Sequence, residues 1–194
     1  MSLIYLIRHG ETDAIGHTLV GWLPGVPINA RGREQATGLV QRLAGVEFAA
    51  IYSSPLERAM QTAEPLARAL GLEIRECPEV GEFHFGEWTG ASISGLDSDP
   101  LWRQFNRFRS RTRAPGGELM SEVQARMVTA LERIAERHPD ASVAVFSHAD
   151  AIRAAATHYL GMPIDFIDRI DIAPASITLL RLEPSFVQVL KLNA

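Results

Sequence analysis

The sequence predicts an α/β fold, a three-layer αβα sandwich whose central sheet is mainly parallel with an antiparallel strand. Short apolar runs alternate along the chain with amphipathic segments of about ten residues or more, as parallel strands joined by helical crossovers require. The 194 residues, 46% apolar and 22% charged, have an ordinary globular composition. No repeat or Gly/Ser-rich linker divides them, so we expect residues 1–194 to form a single domain.

The N-terminal segment predicts a strand, a helix and a second strand. Leu3–Ile7 is a continuous apolar run, typical of a strand that is buried on both faces. Asn29 is a suitable N-cap, because apolar residues follow it at the spacing of one helical face. Phe48–Tyr52 then predicts the second strand.

The next helix has a clear start signal in the sequence. Ser54 is expected to be its N-cap, with Pro55 at the first helical position and Glu57 three residues after the cap. Gly71 is expected to end this helix. Leu72–Arg75 then predicts a short third strand.

The middle of the chain carries weaker signals. Glu79–Gly95 is rich in glycine and aromatic residues, which favours a loop, and Leu101–Phe108 is weakly helical. A long amphipathic helix is predicted from about Glu118, and Pro139 is expected to stop it.

The C-terminal part completes the sheet. Ser142–Phe146 predicts a strand, and an amphipathic helix that runs to Gly161 follows it. Ile177–Leu182 and Phe186–Leu192 flank a turn and predict a hairpin. This hairpin would add an antiparallel strand at or near an edge of the sheet.

Composition excludes several classes of function. The formal net charge of −4 has the wrong sign for a general nucleic-acid binder, and no apolar run is long enough to span a bilayer. Cys77 is the only cysteine, which excludes a disulfide scaffold and a multi-cysteine zinc site. Leu190 precedes the only lysine, Lys191, so no Walker A loop is present. No secretory signal is evident, and we expect a cytoplasmic protein.

Basic and imidazole side chains follow three of the predicted strands. Arg8 and His9 follow the first run, Arg58 lies one helical turn after the second, and His148 follows the fourth. In an open α/β sheet, ligands bind beyond the carboxyl ends of the strands. Arginine provides paired donors for a phosphate dianion, and a neutral histidine is a nucleophile toward phosphorus when an acceptor holds its other ring nitrogen. The sequence therefore predicts a phosphate site at this edge.

The chain resembles the histidine phosphatase superfamily, the phosphoglycerate-mutase-like proteins. The resemblance covers nearly the whole chain, and its motifs stand in the family's order. They are Leu6-Ile7-Arg8-His9-Gly10-Glu11-Thr12, Asn29-Ala30-Arg31-Gly32, Ser53-Ser54-Pro55-Leu56-Glu57-Arg58, Gly81-Glu82-Phe83-His84-Phe85-Gly86-Glu87-Trp88, Pro115-Gly116-Gly117-Glu118 and Phe146-Ser147-His148.

The resemblance implies a role for each matching residue. His9 would be phosphorylated transiently on nitrogen, while Arg8, Arg58 and His148 would surround the phosphoryl group. Glu82 would protonate the leaving alcohol and then, as a carboxylate, activate the attacking water. The same residues would bind the substrate, and neither a metal nor a cofactor is implied.

Four positions depart from the family's pattern. Ile15 stands where many members have an asparagine that contacts phosphate, and Leu119 stands where serine is common. Ala149 and Asp150 replace the usual glycines after the second histidine, and Ala149 is counted with the substrate-binding residues. These departures affect the expected substrate and catalytic strength more than the reaction type.

The resemblance leaves three functions open. The favoured one is metal-independent hydrolysis of a small phosphomonoester. A cofactor-dependent phosphoglycerate-type mutase would use the same first step, but such mutases usually carry a longer insertion than the roughly thirty residues between Glu82 and Pro115. A non-catalytic phospholigand-binding protein would not need Glu82. The expected partner is a small phosphorylated metabolite, not a nucleic acid or a membrane, and the oligomeric state stays open, with a homodimer one alternative.

A basic stretch in the middle of the chain has two interpretations. Its arginines alternate with aromatic residues between Trp102 and Arg113. They could form a lid that contacts an anionic substrate, or a solvated helix face. His84, two residues from Glu82, is a further candidate for the lining of the pocket.

Overall fold

The computed structural model describes all of residues 1–194, and its six strands form one sheet in the order β3-β2-β4-β1-β5-β6. The strands are β1 Ser2–Arg8, β2 Phe48–Ser53, β3 Ile74–Glu76, β4 Ser142–Ser147, β5 Ile177–Glu183 and β6 Phe186–Lys191. Neighbouring strands pair in parallel from β3 to β1, whereas β5 is antiparallel to both of its neighbours. The predicted mainly parallel sheet with an antiparallel strand beside its edge is confirmed.

Six α-helices accompany the sheet. They are α1 Ala30–Arg42, α2 Glu57–Leu70, α3 Ile93–Leu96, α4 Pro100–Arg107, α5 Met120–Arg137 and α6 Ala149–Tyr159. Three 3₁₀ turns lie at Pro78–Val80, Gly86–Trp88 and Ile164–Arg169. None of the helices combines the length and the apolar character that a membrane crossing requires.

Helices cover both faces of the sheet. The alternation of side chains along β1 and β4 sends neighbouring apolar residues to opposite faces. Leu6 and Val145 join a cluster of 30 buried residues with α5 and α6, whereas Ile7 and Phe146 join a cluster of 13 with α1 and α2. The three-layer αβα sandwich is therefore confirmed. The central strands are apolar on both faces because helices cover both faces.

Some predicted helix starts are correct and others are not. Asn29 caps α1 as predicted, since its side chain accepts a hydrogen bond from the Gly32 N–H at 2.9 Å. Asp99 caps α4 in the same manner, which fixes the start of the weakly helical segment. The predicted helix start at Glu118 is wrong by two residues: α5 begins at Met120, and the side chain of Glu122 accepts the Leu119 N–H at 2.8 Å.

The prediction that Ser54 caps α2 is wrong. Leu56 still has an extended backbone, so α2 begins at Glu57 and its preceding residue makes no side-chain cap. The Ser54 hydroxyl accepts the Leu56 N–H, ahead of the helix, at 3.3 Å and lies 2.8 Å from Nε2 of His148. Ser54 therefore lies at the edge of the sheet and faces the candidate site, although the sequence around it has the pattern of a helix start.

Candidate active site

The carboxyl ends of β1, β2 and β4 lie side by side and place the predicted site residues together. Arg8 ends β1 and pairs in register with Ser147, the last residue of β4. The next residue, His9, donates its backbone N–H to the Ser147 carbonyl at 3.0 Å. His148 follows β4 directly, and its ring centre lies 5.1 Å from that of His9. The parallel pairing of two central strands thus brings the two histidines together.

The His9 ring is held in one tautomer by the backbone. Its Nδ1 lies 2.7 Å from the Gly10 carbonyl oxygen, which can only accept, so Nδ1 carries the hydrogen and Nε2 keeps a lone pair. Burial, followed by the charges of Arg58 and Arg8, holds the pKa of His9 well below its usual value. The imidazole is therefore neutral at neutral pH, with Nε2 available as a nucleophile.

Gly10 must be a glycine for this arrangement to form. A Cβ at this position would lie 2.7 Å from the Gly32 carbonyl oxygen at the start of α1. The Gly10 N–H is held in turn by the hydroxyl of Thr62, at 2.9 Å. Close packing of the loop against α1 and α2 therefore fixes the carbonyl that orients His9.

Two guanidinium groups stand beside the His9 ring, that of Arg58 buried and that of Arg8 half-buried. Arg58, on α2, donates from Nη2 to the Gly21 carbonyl at 2.7 Å, and Arg8 donates from Nη1 to the Ile172 carbonyl at 2.6 Å. The Nε of each guanidinium is buried and has no hydrogen-bond partner. An unpaired buried donor costs about 1–3 kcal/mol, so these groups are suited to a ligand rich in acceptor oxygens.

His148 is fully buried behind His9. Its Nε2 contacts the Ser54 hydroxyl, whereas its Nδ1 is buried without a partner. Burial, and next the charge of Arg58, keeps the pKa of His148 well below its usual value. Both imidazoles are thus neutral beside two cations.

The carboxyl group of Glu82 meets the same site from the loop after the first 3₁₀ turn. Its Oε1 accepts the Phe83 N–H at 2.9 Å. Burial, and next the carboxylate of Asp150, raises the pKa of Glu82 to about 7, although Arg58 and Arg8 act in the opposite direction. This carboxyl group can therefore both give and accept a proton near neutral pH.

A cavity of about 210 Å³ joins these groups. Five of the six predicted site residues line it: Arg8, His9, Arg58, Glu82 and Ala149. Two larger depressions, of about 710 and 720 Å³, lie at the opposite edge of the sheet and contain no arginine or histidine. A third, of about 380 Å³ beside α5, contains Arg126 and Arg133 but no histidine. The residue chemistry therefore assigns the site to the smaller cavity.

The cavity also contains residues that the sequence did not assign to the site. Asp150, from the first turn of α6, lines it, as do residues of the loop after His9 and Ile93 of α3. Ile15 lines it too, so the departure from the family's asparagine lies in the wall of the site. The only sequence signal that Asp150 lies in the cavity wall is its position two residues after His148.

The basic stretch does not reach the cavity. Arg109 is buried, stacks over Phe105 at 4.3 Å and lies 3.5 Å from Asp168. Arg113 pairs with Glu122 at 2.6 Å. The other four arginines of the stretch are exposed, as the solvated-face interpretation expects, and only Arg109 departs from it. His84 also lies outside the lining.

A single arginine holds the loop that carries Glu82. Arg126, on α5, donates to the carbonyls of Glu79, Gly81 and Glu82 at 2.7–2.8 Å. It also donates to both oxygens of Glu118, at 3.0 and 3.2 Å. These five hydrogen bonds use all the N–H groups of the guanidinium, a pattern that lysine cannot provide.

The aromatic side of this loop is clamped as well. The indole N–H of Trp22 donates to the Glu82 carbonyl at 2.6 Å, and the Trp22 ring stacks on His84 at 4.4 Å. The Glu118 carboxylate accepts the His84 N–H at 2.9 Å. This accounts for His84 as a structural residue of the loop.

Comparison with known proteins agrees with this arrangement. Residues 4–194 match the histidine phosphatase superfamily (branch 1). The chain belongs to the histidine phosphatase superfamily. The expected family, the enzyme class and the α/β fold are thereby confirmed.

The relatives of this chain include a protein named as a phosphatase and one named as mutase-like. Phosphoserine phosphatase 1 of Hydrogenobacter thermophilus is 29% identical over 198 residues, covering 100% of this chain and 92% of the relative. Phosphoglycerate mutase-like protein 4 of Arabidopsis thaliana is 30% identical over 156 residues, covering 78% and 68%.

Two solved structures superpose closely on the chain. Bacillus stearothermophilus YhfR aligns with a TM-score of 0.92 and 27% identity, covering 98% of this chain and 96% of that one. The alpha-ribazole phosphatase of Shigella flexneri aligns with a TM-score of 0.88 and 25% identity, covering 99% and 96%. These similarities establish the fold and the family, and they leave the substrate open.

The Arg126 contacts predict an unequal effect of two arginine substitutions on α5. Arg126→Met should lower the free energy of unfolding by about 3 kcal/mol or more, because the part-buried Glu118 loses its partner and three carbonyls lose a donor. Arg133→Met, which removes an exposed pair with Glu79, is the control and should leave the urea midpoint nearly unchanged. Equal shifts of the two midpoints would contradict this account.

The surroundings of Glu82 predict its titration. Carbon-13 NMR of labelled glutamate, with Glu82→Gln for assignment, should show this carboxyl losing its proton near pH 7. Asp150→Asn should move that midpoint to lower pH, because a neighbouring negative charge is removed. A midpoint near the ordinary glutamate value in the unsubstituted protein would refute the raised pKa.

Proposed function

We propose that the protein hydrolyses a small phosphomonoester without a metal, through a phosphohistidine on His9. The observation that carries this proposal is the His9 ring, whose Nδ1 lies against the Gly10 carbonyl and whose Nε2 is free beside Arg8 and Arg58. A neutral imidazole next to paired guanidinium groups suits attack on a phosphate dianion.

In the first step, Nε2 of His9 attacks phosphorus, and the bond from phosphorus to the ester oxygen breaks. Protonated Glu82 gives its proton to the departing alkoxide, so the alcohol leaves neutral. Arg8, Arg58 and His148 stabilise the charge on the equatorial oxygens through donors fixed in advance by the fold.

In the second step, the Glu82 carboxylate takes a proton from a water molecule that attacks the phosphohistidine. The bond between phosphorus and nitrogen breaks, inorganic phosphate leaves, and both His9 and Glu82 return to their starting states. A pKa of about 7 suits a group that acts in turn as acid and base.

The chain segment that covers the site is short, and this favours hydrolysis over a mutase reaction. The span between Glu82 and Pro115 forms only a 3₁₀ turn and two short helices, α3 and α4. From this span only Phe85 and Ile93 line the cavity. Such a cover gives a phosphohistidine little shelter from water, so transfer to water is preferred to transfer back to a bound acid.

The binding-only alternative is disfavoured by Glu82. A protein that only binds a phosphorylated ligand has no use for a buried carboxyl group beside the phosphate, because a like charge weakens binding. An enzyme, in contrast, needs such a carboxyl group to protonate the leaving alcohol. The expected ligand in either case is a small phosphorylated metabolite.

The nucleophile predicts the result of a simple assay. The protein should hydrolyse p-nitrophenyl phosphate in the presence of EDTA, and His9→Ala should lower kcat by at least about 10³-fold, since the attacking nitrogen is lost. His158→Ala, outside the cavity, is the matched control. Absence of turnover over a wide range of pH would favour a binding protein, and activity that EDTA abolishes would exclude the metal-independent route.

The proton donor predicts a dependence on the leaving group. Glu82→Gln should slow alkyl phosphates by about 10²–10⁴-fold, because an alkoxide needs a proton to leave. p-Nitrophenyl phosphate should slow much less at the phosphorylation step, which a rapid-quench measurement isolates from dephosphorylation. Equal slowing of both ester types in that step would remove the donor role from Glu82.

A further inference from the structure

The walls of the cavity carry very few charges. Its charged lining consists of the cations Arg8 and Arg58 and the acidic side chains Glu82 and Asp150. Seven further lining residues are apolar, namely Ala14, Ile15, Leu19, Val20, Phe85, Ile93 and Ala149. No cation other than the two arginines is available to a bound molecule.

Asp150 is fixed in the wall by two cations outside the cavity. Its Oδ1 lies 3.2 Å from Arg153 Nη1, and its Oδ2 lies 3.9 Å from Arg109 Nη1. It also lies in the first turn of α6, next to the positive end of the helix dipole. Asp150 is therefore a fixed negative charge at the border of the site.

The two outer arginines pair with further acidic side chains outside the cavity. Arg153 donates from Nε to the Ile170 carbonyl at 2.8 Å and lies 3.8 Å from Asp171. Arg109 contacts Asp168 and donates to Asn106 at 2.8 Å. Neither arginine lines the cavity.

The two cations of the lining equal in number the two negative charges of a phosphate dianion and leave none for a further anionic group. Both histidines are neutral. A carboxylate on the alcohol part of the ester would find no free cation, and it would face the negative charge of Asp150 among apolar walls. A hydroxyl or ammonium group would instead find in Asp150 an acceptor.

We propose that Asp150 determines specificity, selecting esters of small alcohols that carry no carboxylate and that donate a hydroxyl or ammonium hydrogen to its side chain. This inference rests on the proposed phosphatase function of the same cavity. The substrate class is thereby narrowed to phosphomonoesters of small polyols or amino alcohols. Phosphorylated hydroxy acids and amino acids are excluded from it.

Two matched pairs of esters test the proposal. 2-Hydroxyethyl phosphate and 2-phosphoglycolate differ by exchange of a hydroxymethyl group for a carboxylate, and phosphoethanolamine and phosphoserine differ by addition of a carboxylate. In each pair we expect kcat/KM to be at least tenfold higher for the ester without the carboxylate. Competitive inhibition of p-nitrophenyl phosphate hydrolysis gives the same ranking for esters that turn over slowly.

Asp150→Asn separates charge from shape. The amide keeps an oxygen that accepts from Arg153 but removes the negative charge, so the preference within each pair should shrink severalfold. A change in the Glu82 pKa affects both members of a pair alike and cancels in the ratio. Asp140→Asn, at the opposite edge of the sheet beside the N-terminus, is the control and should leave both ratios unchanged.

The outcomes separate this inference from the proposed function. Equal or better use of the carboxylate esters, or an unchanged ratio in Asp150→Asn, overturns the role of Asp150 even if p-nitrophenyl phosphate is hydrolysed through His9. If no ester is hydrolysed, the phosphatase function fails, and calorimetric binding of the same pairs still decides the role of Asp150. Tighter binding of 2-phosphoglycolate than of 2-hydroxyethyl phosphate would then overturn it.

Discussion

The site depends on two guanidinium groups, one buried and one half-buried, that lie beside two buried imidazoles at one edge of a sheet. Burial of His9 and His148, together with the charges of Arg58 and Arg8, lowers the pKa of both rings. Both imidazoles are therefore neutral at neutral pH. The same burial raises the pKa of Glu82. A single physical condition therefore yields a free nucleophile, fixed cations and a protonated acid, which are the three elements that phosphoryl transfer requires.

Burying such groups costs free energy, and the rest of the fold compensates for it with hydrogen bonds from rigid elements. Backbone carbonyls of Gly21 and Ile172 hold the two cations, and the Gly10 carbonyl holds His9. The five hydrogen bonds of Arg126 fix the loop of Glu82 from the side of α5. Each functional group is thus oriented by a partner that does not itself take part in the reaction, so that no reorganisation is needed when charge develops.

Much of the fold and the site was predictable because functional residues follow directly after apolar, strand-forming runs. The run Leu3–Ile7 predicts a buried strand, and the residues after it necessarily lie at the carboxyl edge of a parallel sheet. Strand order and cavity shape were not predictable, since they depend on contacts between distant segments. Ser54 has the local signature of a cap, yet the extended Leu56 delays the helix and leaves its hydroxyl to His148. Asp150 enters the wall only because α6 begins directly after His148.

The central claim is that phosphorus bonds to the nitrogen of His9 that the backbone leaves free. Protein quenched in base during turnover and examined by phosphorus-31 NMR, with the labelled ring of His9 identified in a digest, tests this directly. The account predicts one phosphorylated histidine, His9, modified on Nε2, because Nδ1 is committed to the Gly10 carbonyl. Phosphorus on Nδ1 of His9, on His148, or on no histidine during active turnover would contradict it.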